Sequence, residues 1–108
     1  MQECGPQELV AREEPVQVLD VREAQEWAAG RIEGAMHIPM GQLPARLDEL
    51  DPSTPVVAVC RSGQRSAQVT SWLGAQGFDA CNLRGGVKAW RDAGLALTTP
   101  EGRAGQVA

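Results

Sequence analysis

The sequence predicts an α/β fold in which a mostly parallel central sheet is flanked by helices on both faces. Three observations carry that expectation. Short apolar runs alternate with amphipathic stretches along most of the chain. One run, "VVAVC" (56–60), is continuous and rich in β-branched residues, as befits a strand covered on both faces. Proline and glycine fall between the runs: Pro39, Pro52 and Pro55 bound strand-like segments, while Gly30, Gly77 and Gly94 follow amphipathic ones, where helices end.

The elements follow in order. "PQELVARE" (6–13) reads as a first helix with Pro6 near its N1 position, where the missing N–H costs nothing. "PVQVLDV" (15–21) reads as a buried strand, and "REAQEWAAG" (22–30) as an amphipathic helix ending at Gly30. "GAMHIP" (34–39) is a short strand stopped by Pro39, and "LPARLDELD" (43–51) has leucines at helical spacing. After 56–60, "SAQVTSWLGAQG" (66–77) is a helix with Ser66 as candidate N-cap. "FDACNL" (78–83) reads as a strand, and "GGVKAWRDAG" (85–94) as a tight turn into a last helix. Residues 1–100 are expected to form one domain and 101–108 a flexible tail. At 108 residues the chain can bury a real core without staples.

Composition excludes several function classes. No apolar run approaches a membrane span, and the N-terminus has neither a basic start nor an apolar core of the secretory kind. A cytoplasmic location is expected. The net charge is −4 and Lys88 is the only lysine, which disfavours nucleic acid or an anionic membrane as partner. Any anion site must be local. The three cysteines, Cys4, Cys60 and Cys81, form no Cys-x-x-Cys pair, which argues against a disulfide framework or structural zinc. Free thiols suit a reducing compartment, and His37, the single histidine, cannot build a metal site by itself. No metal and no cofactor are expected.

The chemistry concentrates in "VVAVCRSGQRSAQV" (56–69). Sites of open α/β sheets lie beyond the carboxyl ends of strands, and Cys60 stands at such an end. A free thiol has a pKa of ~8.5 and is mostly protonated at neutral pH. Ser62 and Gly63 let the following turn curl its N–H groups toward one point, an anion-binding nest. The next helix aims its own unpaired N–H groups there, and Arg61 and Arg65 add charge suited to oxyanions. Free cysteines are often simply buried, but this setting favours a reactive sulfur. Cys81, within "FDACNL", has no such loop and reads as a packing residue; Cys4 reads as an exposed bystander. Trp27, Trp72 and Trp90 read as core residues, His37 as structural, and Gly85 and Gly86 as a tight turn close to the loop.

Taken together, "VLDVREAQEWAAGRIEGAMHIP", "VVAVCRSGQRSAQV" and "NLRGGVKAW" resemble the rhodanese domain, the three-layer sulfurtransferase fold that carries sulfur as a cysteine persulfide. The resemblance runs in unbroken order from about residue 6 to residue 95. It departs at Arg31 and Glu33, where the family often has histidine and proline. It implies that Cys60 is the sulfur-carrying nucleophile and that Arg61, Ser62, Gly63, Gln64, Arg65 and Ser66 form the substrate loop. It also implies that Asp20 and Arg22 stand nearby. Asp20 is expected to brace the loop, and Arg22 to attract an anion.

The expected activity is thiosulfate sulfurtransferase-type chemistry with Cys60 as covalent carrier. Sulfane sulfur would pass from thiosulfate or a persulfide donor to cyanide, a thiol or a protein, and the chain is expected to be monomeric. Two other readings compete. A persulfide relay or sulfide-sensing module would use the same cysteine without turnover. A phosphatase or arsenate reductase falls behind, because "CRSGQR" leaves only four residues between Cys60 and Arg65, fewer than a tetrahedral phosphate needs in tyrosine-phosphatase-type loops.

Overall fold

The computed structural model describes residues 2–108. Five strands, β1 (Gln2–Cys4), β2 (Gln17–Asp20), β3 (Met36–His37), β4 (Val56–Val59) and β5 (Ala80–Leu83), form one sheet in the order β1-β5-β4-β2-β3. Every pairing is parallel. Helices α1 (Pro6–Ala11), α2 (Ala24–Ala29) and α3 (Gln64–Ala75) and two 3-10 segments at Met40–Gln42 and Pro44–Glu49 connect successive strands, and helix α4 (Gly86–Asp92) follows β5. The expected α/β architecture is thus present, with an all-parallel sheet.

Strand β4 is central, and all four of its residues are buried. Its alternation splits the core into two layers. Val56 and Ala58 face Leu19, Ile38, Leu43, Val69 and Leu73. Val57 and Val59 face Leu83, Val87, Trp90 and Leu97. The apolar continuity of 56–60 therefore reflects burial on both sides. This central position carries Cys60, the next residue, to the middle of the sheet's carboxyl edge.

Four expectations are corrected. β1 is absent from the sequence reading, because three half-polar residues give no strand signal; the pairing of Cys4 with Leu83 creates it. Cys4 is accordingly half-buried rather than exposed. Residues 43–51 do not form an α-helix. Pro44 starts a 3-10 segment, and Arg46 breaks it with φ −118°. Ser66 is not an N-cap, because α3 begins two residues earlier, after Gly63 in the left-handed conformation at φ 103°.

The tail is hydrogen-bonded where composition suggested looseness. Gly105 N donates to Leu97 O at 2.8 Å, and Gln106 N donates to Ala29 O at 2.8 Å. The crossing is close because Gly30 carries no side chain: a Cβ there would lie 2.5 Å from the Gln106 backbone. Gly30→Ala should release residues 105–108 and lower stability by about 1–2 kcal/mol through the lost hydrogen bonds. Amide exchange should then rise at Gly105 and Gln106 while the amides of β4 stay protected. Unchanged protection at Gln106 would contradict this packing.

Candidate active site

The turn after β4 closes around one sulfur. Gly63 N–H donates to Cys60 Sγ at 3.0 Å, and Ser66 Oγ lies 3.2 Å from the same atom. Gly63 reaches this position only through its positive φ of 103°, a region a side chain disfavours. Burial pushes the Cys60 thiol up, but the Ser66 hydroxyl and the N–H groups of Ser66, Gly63 and Ser62 outweigh it, so the group lies below its ordinary value. The thiolate is favoured by directed donors.

Helix α4 anchors the turn from outside. Val87 N–H donates to Cys60 O at 2.9 Å and Lys88 N–H to Arg61 O at 3.0 Å. These contacts require the backbones to touch at Gly86, where φ is 61° and a Cβ would fall on the Cys60 carbonyl and the Arg61 backbone. The Gly85–Gly86 pair thus supplies the close approach that its sequence suggested. Asn82 completes the frame: its Nδ2 donates to Gly63 O at 3.1 Å, and its Oδ1 accepts from Ser66 Oγ at 2.6 Å.

The arginines are placed otherwise than expected. Arg65 pairs with Glu26 of α2 through two bonds of 2.7 and 2.9 Å. It still feels the Cys60 charge, which adds to the upward push on its own pKa behind the Glu26 contact. Arg61 is exposed and donates to Ala108 O at 3.0 Å. Neither makes a hydrogen bond to Cys60, whose closest donors are the Gly63 N–H and the Ser66 hydroxyl. Ser62 and Gln64 are exposed, whereas Gly63 and Ser66 are buried.

Asp20 and Arg22 also differ from expectation. Arg22 is fully buried and clamps Asp20 with bonds of 2.9 and 2.7 Å, while its Nη2 also donates to Gly30 O at 2.7 Å. A guanidinium closed into such a pair cannot attract an anion from solvent. Asp20 bonds Arg22 rather than an arginine of the loop. The link to the loop runs through the backbone instead, where Asp20 pairs with Val59 and Val21 N–H donates to Val59 O at 3.0 Å. A buried pair of this kind is costly to break from one side, by about 3–5 kcal/mol.

The remaining singled-out residues are structural neighbours. His37 Nε2 lies 2.8 Å from Arg22 O, and its ring stacks on Trp27 at 4.7 Å. Arg31 covers the Trp27 ring at 4.4 Å. Trp90 is buried with its Nε1 donating to Ala96 O at 2.9 Å. Cys81 is buried; burial first, then neighbouring Cys4, pushes its thiol up to about 12. That thiol gives up its proton less readily than Cys60 does.

Two site residues escaped the sequence reading. Glu26 gives no local signal, because its partner lies 39 residues away. Asn82 does give one: it is a polar residue inside a strand whose neighbours Cys81 and Leu83 are buried.

A central parallel sheet carrying a cysteine in an N–H-lined turn at its carboxyl edge is an arrangement that favours a thiolate. Comparison with known proteins agrees. Residues 6–93 match the model of the rhodanese-like domain, and the chain belongs to that family. A sulfurtransferase of Allochromatium vinosum is 42% identical over 94 residues, covering 86% of this chain and 88% of its own. The thiosulfate sulfurtransferase GlpE of Pseudomonas fluorescens is 35% identical over 81 residues, covering 74% of each chain. The crystal structure of a rhodanese-related protein from Thermoplasma volcanium superposes with a TM-score of 0.86 at 26% identity, over 91% of this chain and 98% of that one. The Allochromatium and Pseudomonas relatives are named sulfurtransferases, and a rhodanese-like sulfur transfer is the activity they support. Among the described residues no helix is long and apolar enough to cross a membrane.

The Glu26–Arg65 tether has a definite pH dependence. Its bond to Arg65 holds the Glu26 carboxyl down from 4.5 to about 2. A depressed carboxylate stabilises the fold fully above its unfolded pKa and loses that contribution as pH falls through the folded one. The parent should therefore lose about 1–2 kcal/mol more stability than Glu26→Gln between pH 5 and pH 2, allowing for solvent screening of a part-exposed pair. Thermal unfolding of both proteins across that range measures it. Parallel pH profiles would contradict the tether.

Proposed function

We propose that the protein transfers sulfane sulfur through Cys60, with thiosulfate as a competent donor. The observation that carries this reading is a buried sulfur with its proton affinity lowered by the Gly63 N–H and the Ser66 hydroxyl, at 3.0 and 3.2 Å. Such a sulfur gives up its proton more readily than an ordinary thiol, and His37, whose Nε2 lies 2.8 Å from Arg22 O, makes no hydrogen bond to it. The thiolate attacks the outer sulfur of thiosulfate. A Cys60–sulfur bond forms as the donor's sulfur–sulfur bond breaks, and sulfite leaves with the bonding pair. Charge now rests on the outer sulfur of a Cys60 persulfide, still within reach of the amides of residues 61–66. An acceptor, whether cyanide, a thiol or a protein cysteine, then attacks that outer sulfur and restores the Cys60 thiolate. This is double displacement with a covalent carrier.

The donor's oxygens need a cation, and Arg65 is the better placed, standing in the first turn of α3 with its side chain a third exposed. It can serve an oxyanion at the mouth while its Glu26 contact holds it upright; Arg61 can join by exchanging Ala108 O for the donor. The sulfurtransferase names of relatives at 35–42% identity support the chemistry. A monomer in the cytoplasm, with residues 1–100 as its working domain, fits the same reading.

Steady-state thiocyanate formation from thiosulfate and cyanide tests the proposal. Cys60→Ser should fall to background, whereas Cys4→Ser and Cys81→Ser keep most of the activity. Arg65→Ala should raise the thiosulfate KM by about one to two decades, the loss of one charge-assisted contact of roughly 1.5–3 kcal/mol. Discharge of an already loaded Cys60 should change little. Retained turnover in Cys60→Ser would sink the assignment, and loading without turnover in the parent would favour a relay.

A further inference from the structure

Strand β5 places one polar side chain in the core beneath the loop. Asn82 is 2% exposed, and a buried amide persists in such a place only when its donors and acceptor are used. Its Nδ2 donates to Gly63 O, which also accepts from Ala67 N–H at 3.1 Å. Reversing the amide would set its oxygen against that carbonyl. Oδ1 must therefore face Ser66 Oγ, 2.6 Å away.

The proton count at Ser66 then becomes decisive. Asn82 Oδ1 can only accept, and the Ser66 hydroxyl has one proton to give. Its oxygen lies between Oδ1 at 2.6 Å and Cys60 Sγ at 3.2 Å, and it cannot donate to both at once.

We propose that Asn82 is a positioning residue for the Cys60 sulfur: its amide holds the Ser66 hydroxyl and the Gly63 carbonyl, and offers the Ser66 proton a second acceptor, so that the hydroxyl turns to the sulfur only when that sulfur is charged. In the thiol, Cys60 S–H donates to Ser66 Oγ and Ser66 O–H donates to Asn82. Departure of the thiol proton to solvent leaves an anion, and the hydroxyl rotates from Asn82 to Sγ. When Cys60 is loaded, charge moves to the outer sulfur, Sγ becomes neutral, and the hydroxyl returns to Asn82. The amide thus favours both neutral states of Sγ and keeps the serine in place through all three.

The charged groups around this unit are few. Glu3 of β1 has Oε2 at 3.5 Å from Asn82 Nδ2. Arg65 on α3 is paired with Glu26 of α2, and Asp20 and Arg22 at the end of β2 are paired with each other. Arg61 is turned to Ala108. None of them donates to or accepts from Ser66.

The inference rests on Cys60 as the nucleophile, yet its test reads only the thiol. The pH dependence of iodoacetamide alkylation at Cys60 is measured in the parent, Asn82→Val, Ser66→Ala and the double variant. Asn82→Val should lower the midpoint by about half to one pH unit, the worth of one redirected hydrogen bond, because the thiolate then holds the Ser66 proton unopposed. The same substitution should leave the midpoint unmoved in the Ser66→Ala background. Asn82→Asp should raise it, and provides the test if Asn82→Val does not fold. An upward or absent shift in Asn82→Val, or an equal shift in both backgrounds, would overturn the proposal; so would a downward or absent shift in Asn82→Asp. A serine-independent shift would reduce Asn82 to a scaffold. Failure of sulfur transfer with these shifts intact would count against the functional reading alone.

Discussion

The site is organised around one buried sulfur, Cys60 Sγ, and the donors that favour its charged form. A buried charge is expensive unless donors converge on it. Here two directed donors lie within 3.0 and 3.2 Å of Cys60 Sγ, the Gly63 N–H and the Ser66 hydroxyl. Their geometry is a backbone geometry, set by a left-handed Gly63 and by the first turn of α3. Fixed arginine charge contributes only from a distance. This explains how an acidic chain with net charge −4 can still present an anion site.

The rest of the fold immobilises that turn. β4 delivers Cys60 from the middle of the sheet, with both of its faces sealed by apolar layers. α4 takes the Cys60 and Arg61 carbonyls across the Gly86 contact, so the loop's acceptors are occupied and its donors remain free to turn inward. Asp20 and Arg22 fix the end of β2 beside Val59. Asn82 and Glu26 connect the loop to β5 and α2. Preorganisation of this kind lets the site meet charge with the turn of a single hydroxyl, that of Ser66.

Much of this was legible in the sequence, and what was not has physical reasons. The helices and the buried strands announced themselves by periodicity, and Cys60 by standing between an apolar run and a small-residue turn. β1 was illegible because its strand character comes from an edge pairing with β5 rather than from its own residues. Arg22 was misread as an anion ligand because residue type does not reveal burial; only the fold closes it onto Asp20 and Gly30 O. Arg65 looked like a free loop cation for the same reason, since its partner is remote in sequence. Ser66 looked like a helix cap, yet its hydroxyl serves Cys60 and Asn82. Asn82 could have been noticed as the polar break in an apolar strand.

The cradle should make Cys60, and no other thiol in the chain, the carrier of sulfur. Intact mass spectrometry after exposure to thiosulfate, followed by peptide mapping, measures it directly. The expected product is a protein heavier by one sulfur atom, with the added atom on the peptide containing Cys60 and removed by cyanide. An unchanged mass, or an added sulfur found on Cys4 or Cys81, would contradict it.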